Sequence, residues 1–471
     1  MKRGLLHYAP EDGWFGDPMP VYADGVYHIY YTKLSDKQGW LCWGHVATRD
    51  WKEYQELPDC LLPDDRDVSL TTGSVLYHEG VYHAFYAACG TDGIYRIFSA
   101  VSRDGVLFEK NRESLLPEGR PGYRGDDTWR DPCVFWNPAE SCFWMVFCAR
   151  RPSQNFNSFP GVLGLAKSAD LAHWRLCPPL WEAGYTTAPE CPDLFPIGNR
   201  WALLYYWHET RIRYADSPAG PFIRGPVISP DHFDMMAGKR LSDGRRHILL
   251  GWIPRKSCDC GERIWGGHMA CPRELTLNED GRAGTRFLPE VDAWFPREEE
   301  PLNEKRLTTD GGSWSFFPGG FTARAETAPA FAYAADMPAD YRLRFRLRLQ
   351  GAWPTAMLLL RTEPDSRRGA FAQPVDEGYQ LIWEKESGLL RLRELYMWDQ
   401  RSDLAVVPWR AAEGCCQVDL LLHGDLLEVG LDGESSLVCR LLKHPKGDLA
   451  FCVQDGVMQL QDGVLWTRAE S

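Results

Sequence analysis

Five stretches of this 471-residue chain repeat one design, in which an apolar strand, a polar turn and a second apolar strand follow each other. They are "PVYADGVYHIYYT" (20–32), "SVLYHEGVYHAFYAA" (74–88), "CVFWNPAESCFWMVFCA" (133–149), "DLFPIGNRWALLYYW" (193–207) and "KRLSDGRRHILLGW" (239–252). Their turns fall near residues 24, 79, 139, 198 and 243, a spacing of roughly 45–60 that marks a solenoid, propeller or array. Most are followed by a further hairpin. "GHVATRDWKEYQEL", "FSAVSRDGVLFEK" and "GLAKSADLAHWRL" each set Ala and Ser or Thr before an Asp turn, and "IRYADSPAGPF" is a shortened version. Two hairpins per unit make four antiparallel strands, and a block of about 50 residues of that kind is a propeller blade. The expected fold is therefore all-β, with a five-bladed β-propeller over residues 1–292.

The repeat breaks at "FPREEEPLNEKRLTTDGGSW", which is charged and lacks apolar alternation, so residues 293–313 read as a linker. From 314 to 471, period-two strands resume without a blade-length repeat, as a β-sandwich of alternating strands and Gly/Asp turns requires. "RLRFRLRL" alternates strictly and reads as a half-exposed strand rather than a nucleic-acid stripe.

A net charge of −13 argues against a nucleic-acid partner. No run of 18 apolar residues occurs, so no membrane helix is expected. The apolar stretch after Met1 is too short for a secretory leader. Fifteen cysteines without framework spacing fit free thiols in a reducing cytoplasm. The pair Cys258-Asp259-Cys260 lacks a second ligand pair, so neither a metal nor another cofactor is expected. Twenty tryptophans suit a small carbohydrate partner, whose apolar C–H faces stack on flat rings, although most of them must be core. The oligomeric state is not readable.

In a propeller the entrance of each innermost strand faces a central funnel. Blade one begins at Asp17-Pro18, blade two at "TTGS" (71–74), blade three at Trp129-Arg130-Asp131-Pro132 and blade four at Glu190-Cys191-Pro192-Asp193. Three blades thus offer a carboxylate at what reads as the same point of the repeat. Converging carboxylates in an aromatic funnel suit glycoside hydrolysis, which needs one acid as proton donor and one carboxylate as nucleophile. Repulsion and burial are expected to keep the donor protonated, while Arg130 holds Asp131 ionised and offers a contact to a sugar hydroxyl.

These residues resemble glycoside hydrolase family 32, the β-fructosidases. "HYAPEDGWFGDPMPVY…YHIYY" resembles that family's opening "H(F)xPxxxWMNDPNG…YHLFYQ", and "WGHVATRDWKEYQELPDCLLPD" its "WGHAxSxDLxHWxxLPxALxPD". "TTGS" stands where the family has "FSGS", "WRDP" where it has "RDP", and "ECPDLF" where it has its EC motif. "IWGGHMACPRELTL" resembles its "WAGxMxxPRELxL", so the likeness runs from residue 7 to about 277, and a C-terminal sandwich is also a family trait. The resemblance implies a retaining enzyme that cleaves β-fructofuranosidic bonds through a covalent fructosyl-enzyme. Asp17 would be nucleophile, Glu190 acid and then base, and Asp131 transition-state stabiliser, with nucleophile and acid about 5–5.5 Å apart. Trp14, Thr32, Trp40, Thr72, Arg130, Cys191 and Trp265 match positions that contact sugar.

The chain also departs from the pattern. Gly16-Asp17-Pro18-Met19-Pro20 replaces Asn-Asp-Pro-Asn-Gly, Thr32 replaces Gln, and the segment before Trp40 is shortened. An amide beside the nucleophile is lost. With Met19 and Pro20 expected to face the sugar, sucrose should be a poorer substrate than a fructoside with more apolar surface. A fructosyltransferase on the same scaffold, a furanosidase acting on arabinosides and a non-catalytic sugar-binding propeller are the alternatives.

Overall fold

The computed structural model describes residues 2–3, 6–117, 122–124, 129–153, 160–225, 229–257, 261–278, 281–299, 302–352, 354–363, 377–396, 403–409 and 414–468. The Cys258-Asp259-Cys260 stretch lies outside them. Strands make up nearly every element, and one short 3-10 turn, Pro289–Trp294, is the only helical one among the described residues. None of the described helices is long and apolar enough to cross a membrane. The chain divides into two compact units, Met1–Ser257 with Gly261–Glu290, and Val291–Ser471.

The first unit is a five-bladed propeller. Its inner strands are Trp14–Ala23, Asp67–His78, Arg130–Asn137, Glu190–Ile197 and Met236–Ser242, here those of blades I to V. They neighbour one another in order, and the strand of blade V lies against that of blade I. Blades II, III and IV are separate four-stranded antiparallel sheets. Blades I and V share one sheet, because Phe15 of the first inner strand pairs with Gly267 in blade V. That pairing closes the ring.

Each quoted repeat is an inner hairpin. The turn pairs Asp24-Gly25 and Glu79-Gly80 have φ of 50° and 76°, and of 50° and 78°. Tight two-residue hairpins need a left-handed conformation at both central positions. The Ser/Thr-x-Asp signature links each third strand to the fourth. Thr48, Ser102 and Ser168 hydroxyls accept backbone N–H groups of that turn, and Asp50, Asp104 and Asp170 carboxylates accept the next two. These bonds hold the Asp50 and Asp104 carboxyls below their ordinary pKa against a burial penalty that is the leading influence at Asp50 and a minor one at Asp104. Between blades the apolar faces interlock, as where Phe85, Met145 and Phe147 fill the space between blades II and III.

The second unit is a sandwich of an eight-stranded and a seven-stranded antiparallel sheet. Tyr341–Gln350 carries the "RLRFRLRL" motif. Leu343, Phe345, Leu347 and Leu349 are at most 2% exposed, and burial of each contributes about 1.5–3 kcal/mol. Arg346 and Arg348 alternate with them on the outer face. The stretch expected as a linker corrects the sequence reading. Arg297–Glu298 pairs with Trp466 and Thr467, and Thr308–Asp310 pairs with Phe331–Tyr333. Leu302 and Leu307 are buried in the sandwich core. The charge that hid these strands belongs to sheet edges, where charged side chains discourage pairing with another chain.

Candidate active site

All five inner strands slip register near their first residues. The slips lie between Phe15 and Pro18, Thr71 and Gly73, Arg130 and Cys133, Glu190 and Asp193, and Met236 and Lys239. Asp131, Cys191 and Ala237 take φ of 56°, 48° and 50° there. Left-handed backbone at non-glycine residues costs about 1–2 kcal/mol each and turns the strand ends toward the funnel.

The slips correct the reading of three acids at one equivalent point. Asp131 and Cys191 are equivalent, each being first inside its slip, whereas Glu190 is equivalent to Arg130, the last paired residue before it. Asp17 is second inside the slip of blade I. The consequence is a set of lateral rungs between blades III and IV, each joining residues 60 apart. Arg130 Nη2 donates to Glu190 Oε1 at 2.5 Å, the Cys191 N–H to Asp131 Oδ2 at 2.9 Å, and Cys133 Sγ to Asp193 Oδ1 at 3.8 Å.

Asp17 is held from two other blades. Trp252 Nε1 of blade V donates to Oδ1 at 2.8 Å, and Thr72 Oγ1 of blade II donates to Oδ2 at 2.5 Å. Burial raises its pKa; these two donors and the Lys239 ammonium oppose that, and Glu190 adds to it. Asp131 is 3% exposed. Burial pushes its carboxyl up to about 6, with the Arg130 charge and the Cys191 N–H pulling the other way. Glu190 is different, with a side chain 40% exposed and ion-paired to Arg130. Burial falls on Asp131 and Asp17 and not on the residue expected as donor. Arg130 reaches Glu190 first, and its Nε stands 4.0 Å from Asp131.

Lys239, which the sequence reading passed over as a strand residue, lies 3% exposed among these groups. Its Nζ donates to the carbonyls of Pro192 at 2.9 Å and Gly73 at 3.4 Å, tying blade V to blades IV and II. Burial opposes its charge, and the thiols of Cys133 and Cys191 with the carboxyls of Asp193 and Asp131 outweigh that.

The residues expected to contact sugar separate into groups. Thr32, Thr72 and Cys191 are at most 4% exposed, as Asp131 is, and they pack around the acids. Thr32 Oγ1 meets Thr72 Oγ1 at 3.3 Å, backing the hydroxyl that grips Asp17, and Cys191 acts through its backbone N–H. Trp265 lies beside Gly16 and Trp252: its ring centroid is 5.6 Å from that of Trp252, and a Cβ on Gly16 would stand 2.5 Å from its ring. The indole occupies the space a side chain at 16 would need, which explains that departure. Trp14 carries the Arg255 guanidinium 4.1 Å from its ring. Trp40 projects from the hairpin after the second strand of blade I, 39% exposed, its carbonyl accepting the Ser35 N–H. Met19 corrects another expectation. It is 1% exposed in the core between blades I and II, and its Sδ accepts the Gly73 N–H at 3.0 Å. In a regular strand residues 17 and 19 would share a face. The register slip between Phe15 and Pro18, which contains Asp17, breaks that alternation and lets Asp17 face the funnel while Met19 turns into the core.

Sequence reasoning missed Trp252 and Lys239. Both ended or opened a quoted repeat, and only ring closure brings them to Asp17. Among the described residues no group of His, Cys, Asp and Glu side chains is arranged to hold a metal ion.

Residues 7–222 match the glycosyl hydrolases family 32 N-terminal domain. The chain is 29% identical over 340 residues to the raffinose invertase of Escherichia coli, covering 64% of this chain and 68% of that one. It is 29% identical over 324 residues to the sucrose-6-phosphate hydrolase of Escherichia coli, covering 61% and 65%. Among solved structures, a variant of fructan 1-exohydrolase IIa from Cichorium intybus in complex with 1-kestose superposes with a TM-score of 0.75 at 15% identity, covering 100% of this chain and 98% of that one. The last likeness is one of fold. Together with the acids gathered on blades I, III and IV, these matches make residues 7–222 similar to the glycosyl hydrolases family 32 N-terminal domain, and the chain as a whole similar to the hydrolases that carry it.

Proposed function

We propose that this glycoside hydrolase is a retaining β-fructofuranosidase acting on small fructosides. The observation that carries the reading is the grip on Asp17, whose two oxygens each receive one hydrogen bond, from Trp252 and Thr72. A carboxylate so oriented is an aimed nucleophile. Asp17 attacks the anomeric carbon of the fructosyl unit as the glycosidic C–O bond breaks, and Glu190 gives its proton to the departing oxygen. Glu190 then takes a proton from water, whose oxygen attacks the same carbon and releases Asp17 as carboxylate. Asp131, buried and bonded through the Cys191 N–H, binds ring hydroxyls and stabilises charge that develops on the sugar. The ion pair with Arg130 fixes the direction of Glu190 between the two steps.

Substrate class is supported by the relatives' names. One is an invertase of raffinose, one a hydrolase of sucrose 6-phosphate, and the Cichorium intybus fructan exohydrolase was crystallised with 1-kestose. The Trp265 ring beside Gly16 gives the terminal fructose an indole face where the family motif has an amide. Thirteen free cysteines among the described residues support a reducing, cytoplasmic setting. The test is fructose release from sucrose, 1-kestose and an arabinoside, followed by NMR of the first-formed anomer. Release of the β-anomer from a β-fructoside is expected. Cleavage of the arabinoside alone, or an inverted first product, would refute the reading.

A further inference from the structure

The mouth of blade IV carries groups that the reaction as described does not use. Glu190 pairs directly with Tyr206 across the inner hairpin, so both side chains stand on one face. Trp207 follows directly, in the bend that ends this strand. There its ring stacks on Tyr185 with centroids 4.0 Å apart and planes 8° from parallel. Its Nε1 donates to Thr187 Oγ1 at 2.9 Å. Arg211 sets its guanidinium 4.5 Å from the Trp207 ring and donates to the Tyr185 hydroxyl at 3.2 Å, and its charge is met by Glu209 at 3.1 Å. Thr187, Glu190, Tyr206 and Trp207 all belong to the funnel end of one blade.

A proton donor in glycoside hydrolysis must touch the oxygen of the departing group. The departing group therefore lies beside Glu190, and the residues flanking Glu190 at the funnel mouth are the ones it meets. We propose that the mouth of blade IV is the leaving-group subsite, in which the Tyr185–Trp207 stack receives the apolar face of an uncharged hexose while Tyr206 flanks the bond being broken. Held by Tyr185, Thr187 and Arg211, the indole is set before any sugar arrives, which lowers the ordering cost of binding. Burial, with the charges of Glu190, Cys191 and Asp17, pushes the Tyr206 phenol up to about 12, against the Arg263 charge, so it keeps its proton and can donate to the sugar. Glu209 already neutralises Arg211, and Arg213 is turned to the Tyr205 hydroxyl and the Trp181 ring, so the stack offers rings and hydrogen-bonding edges, which suits a neutral sugar better than a phosphorylated one.

The inference rests on the β-fructosidase reading, and the experiment separates the two. Sucrose carries a hexosyl leaving group, whereas methyl β-D-fructofuranoside has the same fructosyl unit and loses only methanol. For Trp207→Ala, kcat/KM on sucrose should fall roughly tenfold or more, with the methyl fructoside within about twofold of the unmutated enzyme. Trp207→Phe should recover most of the loss, and the melting temperature identifies a variant that fails to fold. Equal losses on both substrates for the folded Trp207→Phe, or none on sucrose for folded Trp207→Ala, would overturn the subsite. A tenfold preference of the unmutated enzyme for sucrose 6-phosphate over sucrose would overturn its neutral character. An unmutated enzyme that releases fructose from neither substrate would instead overturn the proposed function.

Discussion

The propeller and the sandwich are both antiparallel β-structures, and they bury opposite things at their centres. The sandwich fills its middle with Leu343, Leu347, Leu381, Leu420, Phe451 and their like, and its own register slips, as at Arg361 with φ of 53°, are scattered along its strands. The inner strands of the propeller all slip near their first residues. Left-handed backbone at Asp131, Cys191 and Ala237, a buried carboxyl and the buried ammonium of Lys239 stand where apolar side chains would be more stable. The difference is one of placement: in the propeller these features meet at the mouth of one funnel, as is expected where chemistry occurs.

The largest test of this contrast is Asp17→Asn. Turnover should fall roughly 10⁴-fold or more, as for other essential nucleophiles, while the melting temperature stays close to that of the unmutated protein. A variant that kept most of its activity would remove the special status of the blade I slip. Glu190→Gln should lose about 10²–10⁴-fold on a sugar leaving group, and far less on an activated aryl fructoside that departs without a proton. Equal losses on both would deny it the donor role.

The converse test lies in the sandwich. Leu347→Ala should cost about 2–5 kcal/mol of stability, read by denaturant unfolding, with kcat/KM per folded molecule unchanged. Asp131→Asn should move stability the other way. The folded carboxyl titrates near 6 against 3.8 for its ordinary value, so its ionisation destabilises the fold progressively as pH rises from about 4 through 6. Removing that charge should stabilise the protein by about 1–3 kcal/mol at pH 7 and little at pH 3.5, at the expense of activity. For the unmutated enzyme, kcat/KM should decline as pH falls through about 6, where Asp131 takes up its proton. Smallest is Arg346→Ala on the outer sandwich face, expected within about 0.5 kcal/mol.

The hairpin repeat, the Asp-Gly turns and the Ser/Thr-x-Asp links were legible in the sequence because each is a local device, complete within a dozen residues. So was the blade on which each acid stands. What could not be read were contacts across the ring: that Glu190 aligns with Arg130 and not Asp131, that Trp265 fills the space at Gly16, and that Met19 turns inward. The edge strands at 297–310 were hidden for the related reason that only their partners at 331–333 and 466–467 reveal them.

Asp17 sits at the seam where the ring joins its own ends. Phe15 pairs with Gly267, the Met269 N–H donates to the Tyr8 carbonyl at 2.8 Å, and Trp252 reaches back 235 residues to Asp17. During synthesis a nascent chain that has released Asp17, Asp131 and Glu190 from the ribosome still lacks Trp252 and the pairing that fixes the first strand. Asp17 therefore lacks one of its two hydrogen-bond donors until the fifth blade has emerged and docked. Under mild heat or denaturant the same seam is the natural place to peel, so activity should vanish while the other blades still hold their strands.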